Sequence, residues 1–143
     1  MRPWLPLLCA LLLVAGSDPL HDPWQDIGYA LPGTLGDPVL DINGPLTGDS
    51  VLDIELSSAK PLAHAYLVVG FSLLLAPYKG GTLVPDFDLL FVYPTTSQGT
   101  VSILSHFPPG APSGFPIVMQ FWIDDEVAIQ GRAGSNAMGA LTP

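Results

Sequence analysis

The triplet Gly48-Asp49-Ser50 is the first place where residue types and spacing could carry catalysis. A serine nucleophile needs a histidine base. Where a triplet of this kind is catalytic, a downstream Asp-x-x-His pair supplies that histidine. Neither His64 nor His106 has an aspartate three residues before it. Gly-Asp-Ser ahead of an alternating segment is also typical of an ordinary turn. The sequence therefore predicts a chain that is not an enzyme, and a small hydrolase is the alternative to test.

Two groups of acidic residues have the right chemistry to bind calcium. Asp86 and Asp88 lie two residues apart, and Asp124, Asp125 and Glu126 are consecutive. Calcium takes about six to eight oxygen ligands, and extracellular β-domains hold it between loops. The sequence lacks an Asp-x-Asp-x-Asp-Gly loop, however, and acids in turns are usually solvated. Calcium is the one cofactor left open, and otherwise no cofactor is predicted.

Four aromatic residues, Trp24, Tyr66, Tyr93 and Trp122, could contribute to a ligand platform. Aromatic rings offer flat apolar faces on which sugar rings can stack. In a β-domain of this size, aromatic side chains more often pack in the core or between sheets. The sequence keeps both interpretations open, with Tyr66, Tyr93 and Trp122 as the candidates for the platform.

Residues 1–17 have the layout of a secretory signal peptide. Met1-Arg2-Pro3 is a basic start, Trp4 to Val14 is an apolar run, and Ala15-Gly16-Ser17 is a small-residue exit. The run is shorter than the ~20 residues that a membrane-spanning helix needs. We therefore expect a Sec-type export route that leaves a mature domain, residues 18–143, outside the cytoplasm and not inserted in a membrane.

The composition describes a single acidic domain. Thirteen acidic and four basic residues give a formal charge of −9, and loss of Arg2 with the signal peptide makes it −10. Such a charge repels phosphate backbones and anionic lipid, so nucleic acid is excluded as a partner. It favours a basic partner instead. The 15 glycines and 16 prolines punctuate apolar segments that are long enough to build a core.

Apolar residues recur with a period of two, which is typical of half-buried strands. In residues 50–57, Leu52, Ile54 and Leu56 share one face, and Asp53 and Glu55 lie on the other. Residues 117–123 place Ile117, Met119, Phe121 and Ile123 on one face, opposite Gln120 and Trp122. Further strands are predicted at residues 25–30, 39–42, 65–75, 88–93, 100–107, 127–130 and 136–141.

These segments predict an all-β fold of seven or eight short strands. Turn signals at this spacing favour an antiparallel β-sandwich with immunoglobulin-like or related Greek-key topology. Residues 95–99 are short and polar, so 88–93 and 100–107 are expected to form a hairpin. Gly70, inside an otherwise apolar segment, marks a bulge or a close backbone contact.

Several motifs together resemble a known kind of domain. They are Trp24-Gln25-Asp26-Ile27-Gly28-Tyr29-Ala30-Leu31-Pro32-Gly33-Thr34 with Gly36-x-Pro38, Pro77-Tyr78-Lys79-Gly80-Gly81-Thr82-Leu83-Val84-Pro85, Pro112-Ser113-Gly114-Phe115, Gln120-Phe121-Trp122-Ile123-Asp124, and Ala133-Gly134-Ser135-Asn136-Ala137. In this order they resemble a small secreted β-sandwich domain that recurs in planctomycete and myxobacterial extracellular proteins, often at the C-terminal end. The resemblance covers nearly all of residues 18–143. It implies a fold and carries over no catalytic residue.

The sequence as a whole predicts a secreted, non-catalytic structural or binding module of the cell envelope or extracellular space. Its partner is expected to be an extracellular protein or a polysaccharide. The alternatives are a calcium-dependent or carbohydrate-binding lectin-like domain and a small secreted hydrolase.

Overall fold

The computed structural model describes residues 22–143, which contain eleven β-strands. They are β1 (Gln25–Gly28), β2 (Val39–Asn43), β3 (Val51–Ser57), β4 (His64–Gly70), β5 (Leu73–Tyr78), β6 (Gly81–Pro85), β7 (Leu89–Pro94), β8 (Val101–His106), β9 (Pro116–Asp124), β10 (Arg132–Gly134) and β11 (Ala137–Leu141). Within this range, no helix is long and apolar enough to cross a bilayer. The predicted signal peptide, residues 1–17, lies outside the described residues.

The strands form two packed antiparallel sheets and one separate hairpin. The large sheet has the order β1-β11-β9-β4-β7, with β10 pairing on β9, and the small sheet has the order β2-β3-β8. The hairpin of β5 and β6 lies on the large sheet and contacts β9 and β4. The predicted all-β sandwich class is confirmed. The immunoglobulin-like Greek-key topology stays a prediction.

The core fills the space between the two sheets, as the period-two pattern predicted. Leu52, Ile54 and Leu56 of β3 are buried against Phe121 and Ile123 of β9 in one apolar cluster. On β8 the same alternation leaves Val101 buried and Ile103 and Ser105 half-buried, and it exposes the residues between them. The faces predicted for residues 50–57 and 117–123 are therefore confirmed.

Asn136, just before β11, connects the two sheets through its side-chain amide. Its Oδ1 accepts from the N–H of Leu40 on β2 at 2.8 Å, and its Nδ2 donates to the Leu40 carbonyl at 3.0 Å. The amide thus satisfies both backbone groups of one residue, as a neighbouring strand would. Gly134 pairs with Trp122 of β9, and Met138 pairs with Met119. The chain from β10 to β11 therefore has one residue more than the facing part of β9, which is a β-bulge.

One predicted strand connection is wrong. Residues 88–93 and 100–107 do not form a hairpin, because β7 pairs with β4 in the large sheet and β8 with β3 in the small one. The segment between them crosses from sheet to sheet beside the β3–β4 crossing. There, the Thr95 N–H donates to the Ala63 carbonyl at 2.8 Å and the Ala59 N–H to the Gly99 carbonyl at 3.0 Å. Period-two patterns reveal which face is buried but not which strands pair.

The structure divides one predicted strand into two and has a turn in place of another. Residues 65–75 do not form one strand, because β4 ends at Gly70, the chain bends at Phe71 and Ser72, and β5 leaves the large sheet. A Cβ at Gly70 would overlap the backbone of Asp86, so the predicted close backbone contact is confirmed. Residues 127–130 form a turn and not a strand, because the Asp125 carboxylate accepts from the Val127 N–H at 3.0 Å. The return strand is β10.

Three carboxylates share the outer face of the small sheet. Asp41 lies opposite Glu55 in the register of β2 and β3, and Asp53 is two residues from Glu55 along β3. Ser102 donates to Glu55 at 2.6 Å, whereas Asp53 Oδ1 is buried without a partner among the described residues. Asp53 can donate to Glu55 only when it is protonated, so this hydrogen bond, partial desolvation, and then the charges of Glu55 and Asp41 raise the pKa of Asp53. A protonated Asp53 supplies the donor that this carboxylate pair lacks.

We expect Asp53→Asn to stabilise the protein at neutral pH and to have little effect in acid. A raised folded-state pKa means that the stability contributed by protonated Asp53 is present below the unfolded pKa of 3.8 and is lost as the pH rises. Asparagine stays neutral throughout, so the two proteins should differ at pH 7 and converge below about pH 3.8. Urea unfolding across this pH range measures the difference.

Asp49→Asn is the matched control. It removes the same charge from the turn before β3, where the positive φ of 63° suits asparagine. A gain at pH 7 that is equal in both variants would indicate a general charge effect, and the acid pair would then have no special role.

Candidate functional site

The outer face of β9 is buried, and the side chain of Gln120 makes this burial favourable. Gln120 is 0% exposed and uses all its hydrogen-bonding groups. Its Oε1 accepts from the Val84 N–H at 3.1 Å and from the Trp122 Nε1–H at 3.0 Å. Its Nε2 donates to the carbonyls of Thr82 at 3.2 Å and Ser135 at 3.0 Å. The amide therefore fastens the β5–β6 hairpin to the large sheet.

The hairpin places its own aromatic side chain above Trp122. Lys79 and Gly80 form its two-residue turn with φ values of 51° and 85°, a geometry that matches the twist of paired strands. The Tyr78 ring meets the Trp122 ring edge-on, with centroids 4.9 Å apart. A Cβ at Gly134 would lie 3.0 Å from the Trp122 ring, so a larger residue there would press against the indole and displace it by a few tenths of an ångström.

A half-open pocket of about 390 Å³ lies between this hairpin and the large sheet. Trp122, Val68 and Leu83 provide buried or half-buried apolar walls, and Phe87 and Leu90 line it as well, both well exposed. Pockets of this size and lining are typical of sites that accept apolar ligand groups.

A polar network borders the pocket beside these walls. The Arg132 Nε donates to Asp124 Oδ1 at 3.1 Å, and Arg132 Nη1 donates to the Tyr78 hydroxyl at 2.8 Å. The Tyr66 hydroxyl donates to Asp124 Oδ2 at 3.1 Å. The Arg132 guanidinium also lies 4.3 Å from the centre of the Tyr66 ring, a favourable cation–π distance. Arginine and aspartate thus neutralise each other within the site.

The same network keeps Tyr66 protonated. The hydrogen bond to Asp124, partial desolvation and the charge of Asp124 raise the pKa of Tyr66, and the charge of Arg132 only partly opposes this. A neutral phenol that already donates to a carboxylate is a positioning group and not a proton acceptor. Chemically, the site can enclose an apolar group and offer hydrogen bonds at its border.

The structure brings together two of the three candidate platform residues. Tyr66 and Trp122 are cross-strand partners in the register of β4 and β9, and both line the pocket. Tyr93 lies on the opposite face of the sheet, where its ring packs edge-on against Phe121 at 6.4 Å. Trp24 is buried in the core, and its indole N–H donates to the Gly44 carbonyl at 3.2 Å.

The candidate calcium ligands in the turn after β9 have protein partners. Asp125 is buried, and its two oxygens accept from the Thr34 N–H at 2.7 Å and the Thr34 hydroxyl at 2.8 Å. Burial alone would raise the pKa of Asp125, but these bonds, the Val127 N–H and the charge of Lys60 lower it. Asp124 belongs to the arginine network, and Glu126 pairs with Lys60 at 3.0 Å.

Asp86 and Asp88 also bind local donors. Asp88 accepts from the Phe71 N–H at 2.9 Å, and Asp86 accepts from the Phe87 N–H at 2.9 Å and the Ser72 hydroxyl at 3.2 Å. These contacts connect the β4–β5 and β6–β7 turns. Among residues 22–143, no three acidic, histidine or cysteine side chains come together as a metal site would require.

Among the described residues, no side-chain hydrogen bond joins Ser50 to either histidine of the hydrolase alternative. Ser50 donates to the Thr47 carbonyl at 2.5 Å in the turn before β3. The exposed His64 has its Nδ1 3.9 Å from Asp124 Oδ2, longer than a hydrogen bond. His106 is exposed at the end of β8, where it is the cross-strand partner of Val51. Its backbone is therefore close to that of Ser50, but the Ser50 hydroxyl bonds to Thr47.

Sequence reasoning missed several residues that build the pocket. The site residues predicted from the sequence do not include Gln120, Tyr78, Leu90 or Arg132. A signal existed for Gln120, since an uncharged amide within an apolar strand requires buried partners. For the others the sequence held no such signal, because their proximity depends on where the hairpin lies.

Comparison of the chain with family models, with curated proteins and with solved structures gives no match. The planctomycete and myxobacterial resemblance therefore stays a prediction.

We expect Gln120→Ala to destabilise the protein by about 3 kcal/mol or more, because each buried group left without a partner costs about 1–3 kcal/mol. The Val84 N–H and the Trp122 indole N–H lose their acceptor, and two carbonyls lose a donor. Urea unfolding gives the free energy. Gln98→Ala, the same change at an exposed turn position, should shift it by less than about 0.5 kcal/mol. Equal losses in the two variants would contradict the role of Gln120.

Proposed function

We propose that this chain is a secreted, non-catalytic binding module of the cell envelope or extracellular space, and that its pocket takes an apolar side chain from a protein partner. The observation that carries the proposal is the half-open apolar pocket of about 390 Å³ that has Trp122 in its wall. A mostly apolar pocket with a few convergent polar groups is the usual form of a binding site.

The surroundings of the pocket support a protein partner. Phe87 and Leu90 line it and are 59% and 45% exposed. Exposed apolar surface beside a pocket is typical of interfaces in which one anchoring side chain enters the pocket. Aromatic and large aliphatic side chains are the natural anchors for walls of this composition.

The aromatic rings of the pocket favour a side chain over a stacked sugar. The Trp122 side chain is almost fully buried, with Tyr78 packed on it. Arg132 covers one face of the Tyr66 ring. Sugar stacking needs an open ring face. The predicted platform of Tyr66, Tyr93 and Trp122 does not offer its three rings on one surface, because Tyr93 lies on the opposite face of the sheet.

The polar groups of the site support binding without catalysis. Asp124 and Arg132 neutralise each other, and the Tyr66 hydroxyl is already engaged as a donor. A nucleophile or a general base must be available to the substrate, whereas these groups bond to one another. The secreted location rests on residues 1–17, whose layout is that of a signal peptide.

We expect Leu90→Asp to abolish the binding of apolar side chains, while Leu89→Asp preserves it. Both leucines are 45% exposed on β7, but they point to opposite faces and only Leu90 lines the pocket. The probe is N-acetyl-phenylalanine amide, titrated while the indole N–H resonance of Trp122 is followed by NMR. Wild type and Leu89→Asp should show a saturable shift, because a phenyl group fits the walls of the pocket.

N-acetyl-lysine amide should leave the Trp122 resonance unchanged, and the Trp24 indole N–H is an internal reference in the core. A shift of equal size in the Leu90→Asp protein, or no shift in folded wild type, would refute the proposal.

A further inference from the structure

The small sheet leaves the β7 edge of the large sheet uncovered. Leu89 and Phe91 lie on the core-facing side of β7, yet they are 45% and 44% exposed. Their partners on β4, Val69 and Leu67, are only 6% and 2% exposed. Among the described residues, no strand of the small sheet therefore covers this side of β7.

The uncovered space is an apolar groove of about 350 Å³ between β7 and β8. Leu89, Phe91 and Tyr93 line it from the large sheet, and Ile103 and Ser105 line it from the small sheet. In residues 22–143, β8 pairs with β3 alone. One edge of β8 therefore keeps free backbone N–H and carbonyl groups that can pair with an added strand.

The outer face of the small sheet is acidic next to this free edge. Glu55 and Asp53 of β3 lie opposite Ser102 and Leu104 of β8, and Asp41 adds a third carboxylate. The sequences of β2, β3 and β8 contain no Lys or Arg to balance these charges. A cation that arrives with a partner would relieve their mutual repulsion.

From these features we infer that the groove takes an extended segment of another protein, which pairs with the free edge of β8 and alternates apolar residues with lysine or arginine. Strand addition at a sheet edge is a known mode of peptide recognition, in which backbone bonds give affinity and alternate side chains give specificity. This site is separate from the pocket of the proposed function, because the two lie on opposite faces of β7.

The alternation follows from the geometry of the added strand. Every second side chain of that strand would face Leu89 and Phe91 and cover them. The side chains between would lie on the outer face, about 10 Å from β3 at the usual spacing of about 4.8 Å between neighbouring strands. A lysine or arginine can span this gap towards Glu55 and lay its apolar stem on Leu104, which is 73% exposed.

A second copy of this chain does not offer such a strand. Among the strands described, only β10 contains a Lys or Arg, and it has three residues. A chain with a formal charge of −9 would also bring a second acidic surface against the first. Charge complementarity therefore points to a different, basic partner.

The test measures the binding of eight-residue peptides by fluorescence anisotropy at low salt. A peptide that alternates valine and lysine should bind at least about tenfold more tightly than one that alternates valine and glutamate. It should also bind more tightly than a peptide of the same composition with the valines and lysines in two blocks. N-methylation of alternate backbone amides on the pairing edge should abolish binding, because the ladder of hydrogen bonds is lost.

Two protein variants locate the site. Phe91→Glu should weaken binding about tenfold or more, because it places a charge in the groove. Val92→Glu adds the same charge one residue away, on the opposite face of β7 where Val92 is 52% exposed, and should stay within about twofold of wild type. Glu55→Gln should weaken the lysine peptide about twofold to fivefold, as expected for an exposed ion pair.

Several results would overturn the inference. Equal effects of Phe91→Glu and Val92→Glu, or equal binding of the alternating and block peptides, would mean nonspecific attraction of cations. Self-association in sedimentation that Phe91→Glu abolishes would identify a second copy as the occupant. The absence of saturable binding to folded wild type below about 1 mM would also refute the inference. That result is expected if residues 1–21 of the same chain fill the groove.

Discussion

The side-chain amide of Gln120 determines where the β5–β6 hairpin lies, and the pocket depends on that position. An amide buried without partners costs several kcal/mol, so Gln120 favours the one arrangement that pairs both its oxygen and its nitrogen. The oxygen accepts from β6 and from Trp122, and the nitrogen donates to β6 and to the Ser135 carbonyl. Apolar packing alone would let the hairpin slide along the sheet, whereas these directional bonds fix its register.

The edge strand β7 connects the two proposed binding surfaces. Leu90 faces the pocket beneath the hairpin, while Leu89 and Phe91 face the groove between the sheets. The strand contains no charged residue, although an exposed apolar edge ordinarily favours aggregation. A protein with a formal charge of −9 resists self-association through its overall charge. The apolar edge can then remain open for partners of the opposite charge.

Local patterns in the sequence predicted the fold class and the buried faces of individual strands. Leu52, Ile54 and Phe121 are buried as expected because burial along a strand depends on a period that the sequence displays directly. The predicted pairing of β7 with β8 was wrong, because strand pairing is non-local. Residues 95–99 fit a crossover between sheets as well as a hairpin turn. The pocket could be predicted only in part, since the neighbours Tyr66 and Trp122 meet through the register of two distant strands.

Amide hydrogen exchange at Val84 tests the central claim most directly, because its N–H donates to the Gln120 oxygen. If that bond holds the hairpin on the sheet, Val84 should exchange as slowly as Phe121, whose N–H donates to the buried Ser135 hydroxyl. Slow exchange at both positions would confirm that hairpin and sheet open together. Exchange of Val84 at the rate of an exposed loop amide such as Gly110, while Phe121 stays protected, would contradict the account.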